Sequence, residues 1–186
     1  TGYNDASVGG AHGGSGVAIL RYQIASTNSV KATGGSVSHY GSKTIHTFTN
    51  SGTFENTSGS PLSVEYFAIA GGGAGGSSGT SDTVTGAGGG AGGVVTSHPG
   101  VMPATTTQPA VAPGSGANVL TINIGAGGYS ISNLEAAGGA GNNTTITGSG
   151  GAWSVTAYGG GGGGGNDADA PTSPNLGSGG GGKESN

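Results

Sequence analysis

Cysteine is absent from the 186-residue sequence, so disulfides, thiolate nucleophiles and zinc–thiolate centres are excluded together. Stability must come from packing and backbone hydrogen bonds. Charge is nearly as scarce, with 4 Lys plus Arg against 8 Asp plus Glu. The four cations, Arg21, Lys31, Lys43 and Lys183, are spread along the chain and form no basic stripe of the kind that neutralises phosphates. Nucleic acid is not expected as a partner. No apolar run approaches the roughly 20 residues that a membrane-spanning helix needs, so membrane insertion is not expected either.

What the sequence has instead is glycine, 47 residues of it, far above the usual share of about 7%. A flexible linker shares that composition but lacks apolar strands, and disordered chains are usually highly charged. Here five segments carry the β-branched and aromatic enrichment, bounded by Gly, Ser and Asn, that signals strands. They are Gly16 to Ile24, Lys43 to Phe54, Val64 to Ala70, Asn118 to Ile124 and Trp153 to Tyr158. Leu120, Ile122 and Ile124 alternate with Thr121 and Asn123, and Trp153, Val155 and Ala157 share one face, so each strand buries one side. No stretch has a 3.6-residue apolar period, and almost no α-helix is expected.

Between the strands lie glycine runs at 71–79, 86–93, 125–128, 138–141, 159–165 and 177–182. Two of them keep glycine at every third position, as Gly73, Gly76, Gly79 and as Gly86, Gly89, Gly92. Three residues per turn is the period of a polyproline-II helix, which has no internal hydrogen bonds and must bond to neighbours. Ordering so much glycine costs conformational entropy, which lateral N–H to C=O bonds at about 1 kcal/mol each can offset. The residues 159–165 would span roughly 22 Å in this form. Collagen does not fit, because Asp82 breaks the register after Gly79 and the seven prolines lie elsewhere. The expected fold is all-β: a short-strand β-sandwich or roll combined with a packed bundle of glycine-rich polyproline-II-type helices (polyglycine II).

Chemistry-bearing patterns are few. Gly71 to Gly76 satisfies G-x-G-x-x-G after an apolar strand, but SSGTSDTVTG cannot open the helix that a dinucleotide site requires. His12, His39, His46 and His98 lack metal-ligand spacing, and no calcium repeat surrounds Asn166, Asp167 and Asp169. Glu55, Glu65 and Glu135 are dispersed and make no acid–base pair. Trp153, Tyr129 and Tyr158 could stack on sugars if exposed, although Trp153 in its alternating strand reads as core. No catalytic residue, metal site or cofactor is assigned, and the chain is not expected to be an enzyme.

The stretch 97–116, SHPGVMPATTTQPAVAPGSG, is different: its prolines hold it extended and its threonines make it polar. A loop this long without structure of its own is usually functional or disordered. Pro99, Met102, Pro103, Thr105, Thr106, Thr107, Gln108 and Pro109 are the candidate partner-contacting residues.

The order of the words HTFTNSGTF, VEYFAIAGGGAGG, GGGAGGVV, LTINIGAGG, GNNTTITG and AYGGGGGGG is distinctive. Over residues 36–182 it resembles the glycine-rich domain of bacteriophage tail fibres and tail-tip adhesins, found also in some bacterial surface proteins. In that family the last glycine run is followed by a strand of the type GGSGVVILRY; here that word stands first, as Gly13 to Tyr22. The resemblance implies that residues 1–24 close a preceding repeat or exchange into a neighbouring subunit, with Val17, Ile19, Leu20 and Tyr22 as the assembly strand. Residues 25–42 would then be a linker and 43–186 the glycine-rich β domain. It further implies a virion or extracellular location and a structural or adhesive role. Partners would be other copies of the chain or other fibre proteins, with a host-surface polysaccharide or protein as the attachment target. The alternative is a bacterial surface protein or filament subunit.

Overall fold

The computed structural model describes residues 9–24, 30–78, 86–98, 110–111, 118–131, 136–149, 153–165, 177–178 and 180–181. The strands are, in chain order, β1 (Val17–Gln23), β2 (Ala32–Thr33), β3 (Ser36–Tyr40), β4 (Lys43–Phe48), β5 (Gly52–Asn56), β6 (Leu62–Ser63), β7 (Glu65–Ile69), β8 (Val94–Thr96), β9 (Ala110–Val111), β10 (Val119–Asn123), β11 (Thr144–Gly148) and β12 (Ser154–Ala157). Among the described residues there is no α-helix. One five-stranded sheet has the order β3-β4-β1-β7-β8, a second the order β12-β11-β10-β5-β2, and β6 pairs with β9. All pairings are antiparallel. The chain is thus an all-β protein built on two antiparallel sheets.

Alternation along the strands supplies the core. Ala18, Leu20 and Tyr22 of β1, Phe48 of β4, and Tyr66 and Ala68 of β7 are buried from the first sheet. Phe54 of β5, Leu120 and Ile122 of β10, Ile146 of β11 and Val155 of β12 are buried from the second, and both sets form one cluster. Rings join the sheets: Phe54 meets Tyr22 at 6.1 Å and His46 at 5.0 Å, and Trp153 meets Tyr66 edge-on at 5.5 Å. Trp153 therefore packs against the core, as its alternation suggested. Each large apolar side chain buried this way contributes about 1.5–3 kcal/mol.

Three sequence expectations are corrected. Gly16 to Ile24 was expected to close a preceding repeat or exchange into another subunit. Instead β1 is the central strand of the first sheet of its own chain, with Leu20 opposite His46 on β4 and Tyr66 on β7. Its sequence made it a strand, but only pairing partners decide which sheet it completes. Residues 25–42 are more than a linker, because β2 and β3 add an edge to each sheet. Finally, Lys43 to Phe54 is two strands in different sheets, split at Thr49-Asn50-Ser51. The chain also crosses between sheets at Gly34 and Gly35, whose φ angles of +106° and +61° admit the sharp change of direction.

Candidate functional site: the glycine wall and the outer sheet face

Beyond the strand ends the glycine runs lie side by side and exchange backbone hydrogen bonds. The pattern is clearest along 70–77. Ala70, Gly73 and Gly76 donate to Gly93, Gly90 and Ala87 of the run 86–93. Gly71, Ala74 and Ser77 donate to Asn142, Gly139 and Ala136 of 136–143. Gly72 and Gly75 donate to Gly14 and Ala11 of 9–16. Successive amides therefore turn to three different neighbours and return to the first after three residues. In the reverse direction Gly160 and Gly163 of 158–165 donate to Gly71 and Ala74, and Gly128 of 124–131 donates to Gly72.

The absence of side chains is a steric requirement here. A Cβ on Gly73 would lie 2.0 Å from Gly161 O, one on Gly76 2.1 Å from Gly164 O, and one on Gly162 1.8 Å from Gly138 O. Side chains as small as methyl would push the runs apart. The glycines spaced by three in sequence are among those in closest contact: a Cβ on Gly86, Gly89 or Gly92 would lie 2.1–2.3 Å from the carbonyl oxygen of Gly76, Gly73 or Ala70.

On the outer face of the first sheet is a shallow pocket of about 200 Å³ lined by Ile19, Arg21, Glu65, Phe67, Thr96 and His98. Arg21 and Glu65 stand opposite each other on β1 and β7 and form an ion pair through Nε and Oε2. Lys43 Nζ reaches the same oxygen at 3.0 Å, and Arg21 Nη2 lies 3.1 Å from His98 Nδ1. Burial alone would raise the Glu65 carboxyl, but the hydrogen bonds from Lys43 and Arg21 outweigh it and hold it below the usual carboxylate range. Glu65 therefore stays ionised near neutrality. The sequence showed these residues only as scattered charges; strand register brings them together.

Of the residues nominated from sequence, Pro99, Met102, Pro103, Thr105, Thr106, Thr107, Gln108 and Pro109 lie outside the described residues. Leu20 and Tyr22 point into the core, while Val17 and Ile19 sit half-buried on the outer face of a strand paired along both edges. The stackable rings differ in exposure: Tyr129 is 72% exposed and Tyr158 40%, whereas Trp153 is half-buried. Among the described residues no group of three or more His, Asp or Glu side chains is placed to hold a metal ion.

Two antiparallel sheets continued by laterally bonded glycine runs define a glycine-rich all-β domain. Residues 47–186 match the family model described as a glycine-rich domain, and the chain belongs to that family. No curated protein and no solved structure matches it significantly.

Proposed function

We propose that this chain is a structural and adhesive module of a bacteriophage tail fibre or tail tip, in which the glycine runs pack as a bundle of polyproline-II-type helices. The observation that carries the proposal is the three-residue cycle of hydrogen-bond partners along 70–77. Three residues per turn, bonds only to neighbours and no room for a Cβ are what such a helix in a packed bundle requires. A wall of this kind has no flexible side chains and few charges, which suits a rigid element exposed outside the cell. The segment 97–116 would supply the variable contact with a host-surface polysaccharide or protein. No catalytic group is assigned to the chain. In the alternative, the same domain serves a bacterial surface protein or filament.

Immunogold labelling with antiserum against the chain tests this role. Label on the tails of purified phage particles, with the chain detected in them by mass spectrometry, is the expected result. Label on the bacterial envelope and none on particles would overturn the phage assignment in favour of the alternative.

A further inference from the structure

We propose that β3, an outer strand of the first sheet, pairs antiparallel with β3 of a second copy of this chain and joins the two sheets edge to edge. β3 has β4 on one side and no described strand on the other. The far margin of the two sheets is closed: β8 lies against β12 of the second sheet, and Gly93, just before β8, donates to Tyr158 O, just after β12. The remaining outer strand, β2, has only 2 residues. A free sheet edge is a template for another strand, and proteins that stay single blunt it with Pro, Lys, inward charge or a bulge. The sequence of β3, SVSHY, contains no Pro and no Lys, Arg, Asp or Glu, and its register with β4 runs unbroken from Ser36 opposite Thr47 to Tyr40 opposite Lys43.

The alternation of hydrogen bonds in the sheet fixes which groups this edge offers. Ile24 N donates to Ser42 O at 2.8 Å, just beyond the paired residues of β1 and β4. Antiparallel partners alternate between bonded and non-bonded pairs, so Thr44, His46 and Phe48 turn their backbone groups to β1, and Lys43, Ile45 and Thr47 turn theirs to β3. The β3 residues that bond to β4 are then Ser36, Ser38 and Tyr40. The N–H and C=O of Val37 and His39 point outward, and no described backbone group bonds to them from that side. Side chains leave the edge open. Val37 and His39 lie on the core-facing side, opposite the buried His46 and Thr44, yet both are exposed, so the second sheet does not reach beneath them. The His39 ring is drawn back toward its own β4, with Nδ1 3.2 Å from Thr44 Oγ1.

A second copy supplies the matching edge in one register. With Ser38 opposite the partner's Ser38, Val37 faces the partner's His39 and His39 faces the partner's Val37. Each of these two pairs exchanges two N–H to C=O bonds, which satisfies every outward group of Val37 and His39 on both copies. The two-fold axis relating the copies stands perpendicular to the sheet beside Ser38. It reverses the strand direction, so donors meet acceptors, and it keeps each side chain on its own face of the sheet. A slip of two residues either way would need bonds from Gly35 or Gly41, whose φ angles of +61° and +57° take them out of the strand. In the matched register no like charges meet. Tyr40, 83% exposed, falls opposite the small side chain of the partner's Ser36 on one face, and Val37 lies beside the partner's His39 on the other. The contact is isologous and closed, and it yields a dimer.

Because the chain has no native cysteine, single thiols read the register directly. The two Ser38 residues would form a non-bonded pair with Cα atoms about 4.5 Å apart, within disulfide reach. The two Ser36 residues, on the same face, would be about 14 Å apart, because each lies four residues along the strand from the other's level. Sedimentation of the full chain should show a dimer, Ser38→Cys should oxidise to a covalent dimer, and Ser36→Cys should not. Val37→Pro removes only an outward N–H, so it should remain folded and raise the dissociation constant about thirtyfold or more, since two of the four bonds are lost. Ser38→Lys sets like charges directly opposite each other and should be monomeric where the wild type is dimeric. Trp153 fluorescence reports folding of each variant, and Ser38→Lys decides the matter if the proline variant unfolds. A wild-type chain that stays monomeric up to its solubility limit overturns the proposal. So does a dimer in which Ser36→Cys cross-links as readily as Ser38→Cys, or one that folded Val37→Pro or Ser38→Lys leaves as tight as the wild type.

Discussion

Alanine at Gly162 perturbs the wall where it is tightest. The added Cβ would lie 1.8 Å from Gly138 O and 2.6 Å from Gly138 C, and Cβ atoms do not come within 3.0 Å of such neighbours. The runs 158–165 and 136–143 must therefore separate by about 1.2 Å. The bonds from Gly138 N to Gly163 O and from Gly141 N to Gly160 O, both 2.8 Å, would stretch to about 4 Å, past hydrogen-bonding range. Two lost bonds cost about 2 kcal/mol net, and stranding buried backbone groups adds about 1–3 kcal/mol more. A total of about 3–5 kcal/mol is a large share of the about 5–15 kcal/mol that typically holds a domain together. Gly14→Ala is the control, since its Cβ meets nothing within 4 Å; by restricting the unfolded chain it should be neutral or stabilise by about 0.4–1 kcal/mol. Urea unfolding followed by fluorescence of Trp153, the sole tryptophan and packed on Tyr66, gives both numbers. Equal stabilities for the two variants would refute the steric reasoning.

Other expectations concern the sheets. His46 is buried and its pKa is lowered by desolvation, against a raising hydrogen bond to Gly34 O at 2.6 Å and a further lowering by His39. The unfolded chain then binds the proton more readily, so stability should decline as pH falls below about 6.5, and a His46→Phe variant should lack that decline in denaturation curves taken down to about pH 5.5. Glu65 has a depressed pKa, so its ion pairs stabilise above the unfolded carboxyl's value and are lost as pH falls through the folded one. Glu65→Gln should cost at most about 1 kcal/mol at neutral pH, because the side chains are partly solvated, and should unfold like the wild type in acid. Gly34→Ala should destabilise more than Gly41→Ala in the same urea assay. Both have positive φ, but only at Gly34 does the Cβ strike Thr53 O, at 1.9 Å, whereas Gly41 faces open space.

The sequence made some elements plain because their physics is local. The alternation of Leu120 and Ile122 with Thr121 and Asn123 marked β10 and its buried face, and the spacing of Gly86, Gly89 and Gly92 marked residues that touch neighbouring backbone. What stayed hidden depends on partners. β11 has one aliphatic residue, Ile146, among threonines, and Thr144 is buried because its Oγ1 accepts from Gly125 N, a contact set by a distant run. β3 is exposed at all five residues, so it shows no buried face to read. β4 and β5 look alike in composition and go to different sheets at a three-residue connection. The Arg21–Glu65–Lys43 cluster arises from register, which no single segment encodes.

The central claim, that the glycine runs are hydrogen-bonded walls of the fold, is tested most directly by residue-resolved amide hydrogen exchange on the intact chain. Protection at Gly73, Ala74, Gly76, Gly90, Gly138 and Gly163, all of which donate to neighbouring runs, should approach that of the central strand β1. Exchange of these amides at the rate of an unstructured peptide, with β1 still protected, would contradict it.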